Sequence, residues 1–222
     1  MHFFGGVAQN ESIAAGYKTR ATDSSLCITF DPEDVAERSV AEDNSIAFGH
    51  CHTARNHSIG MCYGVATDHS FEMIGNAKTS SWAFSYATAA NCSFAAQSAS
   101  NANVSSFAVL SSQAQNQSVA YNDSMAKDYS IAFMHSMAND YSVAKFSSSA
   151  SHSAIAYCSS SATDKSLAMF DSTASDCSIA LFNSTASHSA LSLYDNTINI
   201  KSDGSVNGLR LTADSQGEIY VD

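Results

Sequence analysis

The sequence predicts an all-β chain folded as a parallel β-roll, a solenoid with coils of about twelve residues. Three observations predict it. From Ser58 onward the chain repeats every twelve residues; within each repeat, small residues stand two places apart; and the composition lacks the large aliphatics of an ordinary core. Ser and Ala dominate, with one Pro, ten Gly and one Trp among 222 residues. Low-complexity, Ser-rich chains often remain unfolded. Here apolar residues recur at fixed positions and Pro is nearly absent, which argues for order.

The repeat decides the reading. Its first column runs Ser58, Ser70, Trp82, Phe94, Ser106, Ser118 and on to Ser178 and Ala190. Two places later stands alanine, from Ala96 and Ala108 to Ala168 and Ala180. Six places after the first column comes a second serine column, Ser100 to Ser184, with its own alanines from Ala90 and Ala102 to Ala186. The unit is a doubled hexad, Ser-x-Ala-x-x-x. Small residues two apart give a period of two, so each hexad reads as a short strand and a turn. Two strands make a flat coil, and each coil pairs with the next in parallel. At about 4.7–4.9 Å per strand, the coils from Ser58 predict a rod on the order of 55–60 Å long. Helix is the rival for Ala-rich sequence, but a period of six never holds one helical face. The Ser and Ala columns are expected inside, where nothing larger fits.

Residues 1–9 read as an N-terminal segment or attachment, and the roll spans 10–195. Before Ser58 the coils lengthen to thirteen, as from Ser45 to Ser58. A longer coil carries an acidic insertion within 31–43, with Asp31, Glu33, Asp34, Glu37, Glu42 and Asp43. A solvated loop accounts for that run, and the only proline, Pro32, sits where a loop tolerates it. Between Lys78 and Ala90 the register blurs, because Ala77, Ala83, Ala89 and Ala95 fall one place early. Residues 196–222 change character: 197–201, 208–212 and 218–222 alternate apolar and polar, separated by Asp203-Gly204 and Gln216-Gly217. They read as strands joined by tight turns, forming a C-terminal β cap.

One place after the first column every residue is apolar: Ile59, Phe71, Ala83, Ala95, Phe107, Val119, Ile131, Val143, Ile155, Leu167, Ile179 and Leu191. These face away from the interior. The matching column on the second strand is polar in the later coils, with Ser149, Ser161, Thr173, Thr185 and Thr197. The corner residues Leu110, Met134, Phe146, Phe170, Phe182 and Tyr194 widen the apolar stripe. At roughly 25 cal/mol per Å², leaving it in water would cost tens of kcal/mol relative to burying it. A long apolar stripe implies an interface. The expected partner is the chain itself, with parallel subunits packing their first strands on a common axis through Ile59, Phe107, Val119, Ile131, Val143, Ile155, Leu167, Ile179 and Leu191.

The segments Glu11-Ser12-Ile13-Ala14-Ala15-Gly16 and Asn44-Ser45-Ile46-Ala47-Phe48-Gly49 resemble the Ser-Val/Ile-Ala-Ile-Gly units of trimeric autotransporter adhesin heads. Similar rolls occur in phage fibre proteins. The resemblance covers about residues 10–195 and implies a left-handed parallel β-roll in an intertwined homotrimer. The repeat departs from that family's, which is nearer fourteen residues, retains its Gly and is poor in Cys. The family's coiled-coil stalk and membrane anchor have no counterpart here. These departures favour a phage fibre that folds in a reducing cytoplasm.

The formal charge of −11 gives phosphate no basic patch, so no nucleic-acid partner is expected. No stretch is apolar enough to span a membrane, and no charged-then-apolar leader opens the sequence; the expectation is cytoplasmic folding or a piece of a longer chain. Cys27, Cys51, Cys62, Cys92, Cys158 and Cys177 lack CxxC pairs and read as free thiols. His50, Cys51, His52, His57, Cys62 and His69 concentrate metal-ligating atoms without a standard spacing, and are weak candidates beside chance stacking. Asp128, Asp140, His152, Asp164, Asp176 and His188 share one column, as a solvated corner or as stacked carboxylates that attract cations. There is no GxSxG, phosphate loop or HExxH. Hexapeptide-repeat acyltransferases use eighteen-residue coils, and ice-binding solenoids need flat Thr-x-Thr ranks; neither pattern is met. No cofactor is expected.

The sequence therefore points to a non-enzymatic trimeric fibre or tail-spike component of a phage virion, presenting a surface for attachment to a host receptor and docking other virion proteins at its ends. The alternative is the head of a bacterial surface adhesin.

Overall fold

The computed structural model describes residues 2–3, 6–16, 18–29, 39–49, 52–195, 197–199, 205–206, 209–213 and 219–221. For residues 2, 3, 52, 62 and those after 195 only the backbone is described. None of the described residues is helical. The chain divides into two compact units, residues 1–122 and 123–222. Each is a parallel β-solenoid.

The second unit shows the repeat at its plainest. Ile155–Tyr157 is followed by Cys158 and Ser159, then by the buried Ser160 and the strand Ser161–Thr163. Ser and Ala, two places apart, both turn inward; the residues flanking Ala both turn outward. At each corner two successive residues take left-handed backbone: Cys158 has φ 55° and Ser159 φ 56°. A non-glycine residue pays roughly 1–2 kcal/mol for this conformation. Asn and Asp tolerate it best and fill many corners, among them Asn56, Asp68, Asp140 and Asp164. Ile74, Thr79 and Val104 are β-branched residues held in the same conformation.

What offsets the corner cost is unbroken hydrogen bonding between coils. The Phe146 amide donates to the Phe133 carbonyl at 3.1 Å, and the Ser147 amide to the Met134 carbonyl at 2.9 Å. The Ile155 amide donates forward to the Ser166 carbonyl at 2.9 Å. The inward serine completes the circuit. Its amide faces the previous coil where no carbonyl is available, and the serine Oγ of that coil accepts instead. Ser148 N–H donates to Ser136 Oγ at 3.2 Å, and Ser160 N–H to Ser148 Oγ at 3.2 Å. The hydroxyl then donates to a carbonyl of its own turn, as Ser136 does to Met134 at 3.3 Å and Ser142 to Asp140 at 3.3 Å. Serine is in the column because a buried amide needs an acceptor of that length.

The first unit follows the same plan with less regular coils. Ser25, Ser45 and Ser58 continue the column through spacings of 20 and 13 residues. The Ser45 amide reaches Ser25 Oγ at 3.1 Å, so the insertion within 31–38, which lies outside the described residues, leaves the column intact. Glu42, grouped above with the solvated acidic run, is instead clamped between Arg20 at 3.1 Å and Arg55 at 3.0 Å. Gly16, at φ 117°, sits against the Thr29 carbonyl where a Cβ could not fit.

The blurred register resolves into one short and one long coil. The serine column runs Ser58, Ser70, Ser81, Ser93, Ser106, with spacings of 12, 11, 12 and 13. Trp82 and Phe94 therefore do not belong to it. They stand one place later on the outside, paired with each other and with Phe71 and Phe107. Ala83 and Ala95, expected in that outer column, are fully buried. On the second strand Ala89, not Ala90, pairs with Ala102; on the first, Ala95, not Ala96, pairs with Ala108. The physical reason is size: an interior lined by alanine cannot take an indole or a phenyl ring.

Thr197–Asn199, read above as the first cap strand, pairs in parallel with Thr185–Ser187 as a further strand of the roll. Beyond it, Ser205–Val206, Leu209–Ala213 and Ile219–Val221 form an antiparallel sheet.

The column has a natural gap. The Ala154 amide donates to Ser142 Oγ at 3.2 Å, but Ala154 offers no hydroxyl to Ser166. Ala154→Ser should stabilise the protein by about 0.5–1.5 kcal/mol, and Ser142→Ala, which strips the Ala154 amide, should cost about 1–3 kcal/mol. Denaturant midpoints at unchanged slope test both; a neutral Ser142→Ala would contradict this role for the column.

Candidate interaction surface

An interior of Ser and Ala sends every large side chain outward. In the first unit the outer column of the first strand runs in register through Ile46, Ile59, Phe71, Trp82, Phe94, Phe107 and Val119. Its rings pack on one another: Phe94 and Phe107 stack at 5.0 Å between centroids, and Phe71 lies 5.7 Å from Trp82. In the second unit the column is Ile131, Val143, Ile155, Leu167, Ile179 and Leu191, again in register. The sequence-designated residues thus share a column within each unit. Ile59, Phe107, Ile131, Val143, Ile155, Ile179 and Leu191 are exposed, Ile155 to 49% and Leu191 to 54%, while Val119 and Leu167 are half-buried.

Sequence reasoning missed a second outer column on the same strands. Phe133, Lys145, Tyr157, Met169, Leu181 and Leu193 stand in register beside the first. All but Lys145 are apolar, and the signal lay three places after each serine. Lys145 places its Nζ 4.9 Å from the Phe146 ring centroid, which keeps the one charge of this column over an aromatic face. The adjoining corner carries a ring stack: Phe170, Phe182 and Tyr194 lie 4.9 Å apart and within 3° of parallel. Tyr157 meets Phe170 edge-on at 6.1 Å. The stack favours a conformation that phenylalanine would otherwise avoid.

The opposite strand of the second unit is mostly polar. Met125, Met137, Ser149, Ser161, Thr173 and Thr185 follow in register. At its corner the acidic column is interleaved rather than uniformly repulsive. His152 lies 3.6 Å from Asp140 and 3.7 Å from Asp164, and His188 3.8 Å from Asp176. Asp128 has Lys127 at 3.8 Å. These pairs are exposed and contribute little to stability.

Of the weak metal candidates, the structure brings together His57 and His69, whose rings stack at 5.1 Å and 4° rather than converging on a point. His50 and Cys51 lie outside the described residues, as do the side chains of His52 and Cys62. No group of three or more potential ligands is found among the described residues. An open hollow of about 380 Å³ lies between Tyr63 and Tyr86, floored by Gly64 and Gly75 and edged by Asn76 and Thr88.

Cys27 occupies the inner column between Ala14 and Ala47, and burial pushes its thiol up to about 11. Cys92 and Cys177 are exposed, Cys158 is half-buried, and all four are free thiols.

No family model matches the chain, and no curated protein matches it. Among solved structures, LpxA from Acinetobacter baumannii aligns over 100% of this chain and 68% of its own, at 6% identity and a TM-score of 0.14. Agreement at that level carries no argument.

A maleimide at neutral pH should label Cys92 and Cys177 in the native protein within minutes and Cys27 only on unfolding, as peptide mapping would read. Rapid native labelling of Cys27 would contradict its placement in the inner column.

Proposed function

We propose that the chain is a structural and adhesive subunit of a homotrimeric fibre, a left-handed β-roll whose three copies pack their apolar columns on a shared axis. One observation carries this reading: aliphatic residues in register, coil after coil, are exposed on a unit whose interior is already filled by Ser and Ala. So regular an exposed apolar face is the mark of an interaction surface. A second copy in parallel presents the same face in the same register, and threefold packing covers all of it at once. Lys145, held back over its aromatic neighbour, does not interrupt the stripe.

Within this reading the polar strand and its Asp–His corner face outward and form the surface offered for attachment. The setting we propose is a phage virion, as a fibre or tail-spike component joined to other virion proteins at its ends. Catalysis plays no part in it. The second reading, the head of a bacterial cell-surface adhesin, draws on the earliest coils, where Gly16 and Gly49 close Ser-Ile-Ala segments with positive φ of 117° and 110°. Genome neighbours separate the two: virion structural genes for the first, an export signal and a membrane anchor in the full-length gene for the second.

Mass measurement in solution tests the assembly. The native protein should run at three times its chain mass of 23.4 kDa, and Ile155→Asp should be dissociated or insoluble. A well-behaved native monomer would overturn the reading.

A further inference from the structure

Glu72 stands in the inner column, in register with Gly60 in the preceding coil and Ala83 in the next. Its exposure is 0%, and neither carboxylate oxygen has a hydrogen-bond partner. The preceding strand has made room for it: a Cβ on Gly64 would fall on Glu72 Oε1, and one on Gly60 would lie 3.6 Å from Oε2. The elements packed around the carboxyl contribute Gly60 and Gly64 from Ile59–Thr67, Ala83 from Trp82–Ala90, and Ala54 from His52–Arg55. The charged and titratable side chains described on those strands, Arg55, Tyr63 and Tyr86, are exposed rather than buried beside it. A carboxylate ion in this place would face no counter-charge among the described side chains, only the backbone amides of Gly75 and Met61, and burying such an ion is costly.

We propose that Glu72 is a pH-sensitive joint in the roll, carried uncharged inside the closed roll and forcing the two coils Ser58–Ser70 and Ser70–Ser81 open once its proton is lost. The local architecture suits such a role. Around Glu72 the strands Ile59–Thr67 and Phe71–Lys78 run long without the usual two-residue corner, and the pairing is interrupted between Met73 and Gly75. Gly64 and Gly75, which also line the open hollow beside Tyr63 and Tyr86, belong to the same stretch of backbone.

Burial pushes the carboxyl from its ordinary value of 4.5 up to about 8, with the amides of Gly75 and Met61 opposing part of the rise. The unfolded chain therefore gives up this proton several pH units before the folded one does. Stability from this group is greatest at acid pH, falls as pH rises between about 4.5 and 8, and levels off above that. The Cys27 thiol, pushed to about 11, titrates outside this window.

Hydrogen exchange of the full chain, corrected for intrinsic rates, tests the joint. Between pH 5 and pH 9 the protection of amides in residues 59–78 should fall by several hundredfold, a rough upper figure from the two titration points. In Glu72→Gln it should stay level, and strands 131–193 should show no such loss in either protein. Should Glu72→Gln fold poorly, Glu72→Ala, which matches Ala83 in the next coil, supplies the neutral comparison. An equal loss in native and neutral proteins, or no loss in the native one, would overturn the proposal. Failure of both neutral variants to fold would also overturn it, since a site that needs an uncharged group must accept one.

Discussion

The interior of each coil is as wide as one alanine facing one serine, and everything else in the molecule follows from that width. The serine is there for its oxygen as much as its size. Its Oγ receives the amide of the next coil at about the distance a carbonyl would, as in Ser142 to Ser130 at 3.1 Å, and so closes the one break that a corner makes in the ladder. A chain bent through two left-handed residues at every corner needs that ladder to be continuous, because each corner starts at a deficit of a few kcal/mol. The column is not perfect at its far end: Ser178 Oγ, followed in its column by Ala190, has no hydrogen-bond partner.

A core this narrow buries little apolar area per residue, which inverts the usual arrangement. Large aliphatic and aromatic side chains gain nothing inside and must lie on the surface. They line up because parallel coils repeat the same position at each strand spacing. Regular stacking then gives the surface its own order, seen in Phe170, Phe182 and Tyr194 and in the paired rings of Tyr129 and Tyr141 at 5.0 Å. Local repetition thereby links folding to assembly: the constraint that excludes large residues from the interior also presents them to another copy. Glu72 is the exception that shows the rule, since the column admits it only where Gly60 and Gly64 give up their own side-chain volume.

Much of this was legible in the sequence. Ser and Ala columns inside, an apolar column outside and polar later strands all follow from a period of two nested in a period of twelve. The misreading at Trp82 and Phe94 came from counting in twelves through an eleven-residue coil. Size could have corrected it, because Ser81-Trp82-Ala83 and Ser93-Phe94-Ala95 keep the Ser-x-Ala order if the count is allowed to slip. Glu72, two places after Ser70, was equally open to view and was passed over. The left-handed corners were not legible. Phe146, Leu110 and Met134 carry no preference for that conformation, and only the stacked ladder between coils imposes it. The order of His152 between Asp140 and Asp164 was legible in the twelve-residue column, but the distances that bring it within 3.6 and 3.7 Å of them were not.

The inverted core is tested most directly by comparing the equilibrium unfolding of Met137→Ala and Ala138→Met. These are adjacent residues on the polar strand, away from the proposed interface, one 52% exposed and the other 1%. Trimming the methionine should change stability by no more than about 0.5 kcal/mol, as for an ordinary surface position. Enlarging the alanine should cost about 3 kcal/mol or more, or abolish folding. If the larger residue is accommodated at 138 while the loss of Met137 costs the roughly 2–5 kcal/mol of a core truncation, then the large side chains are the core after all, and the account is wrong.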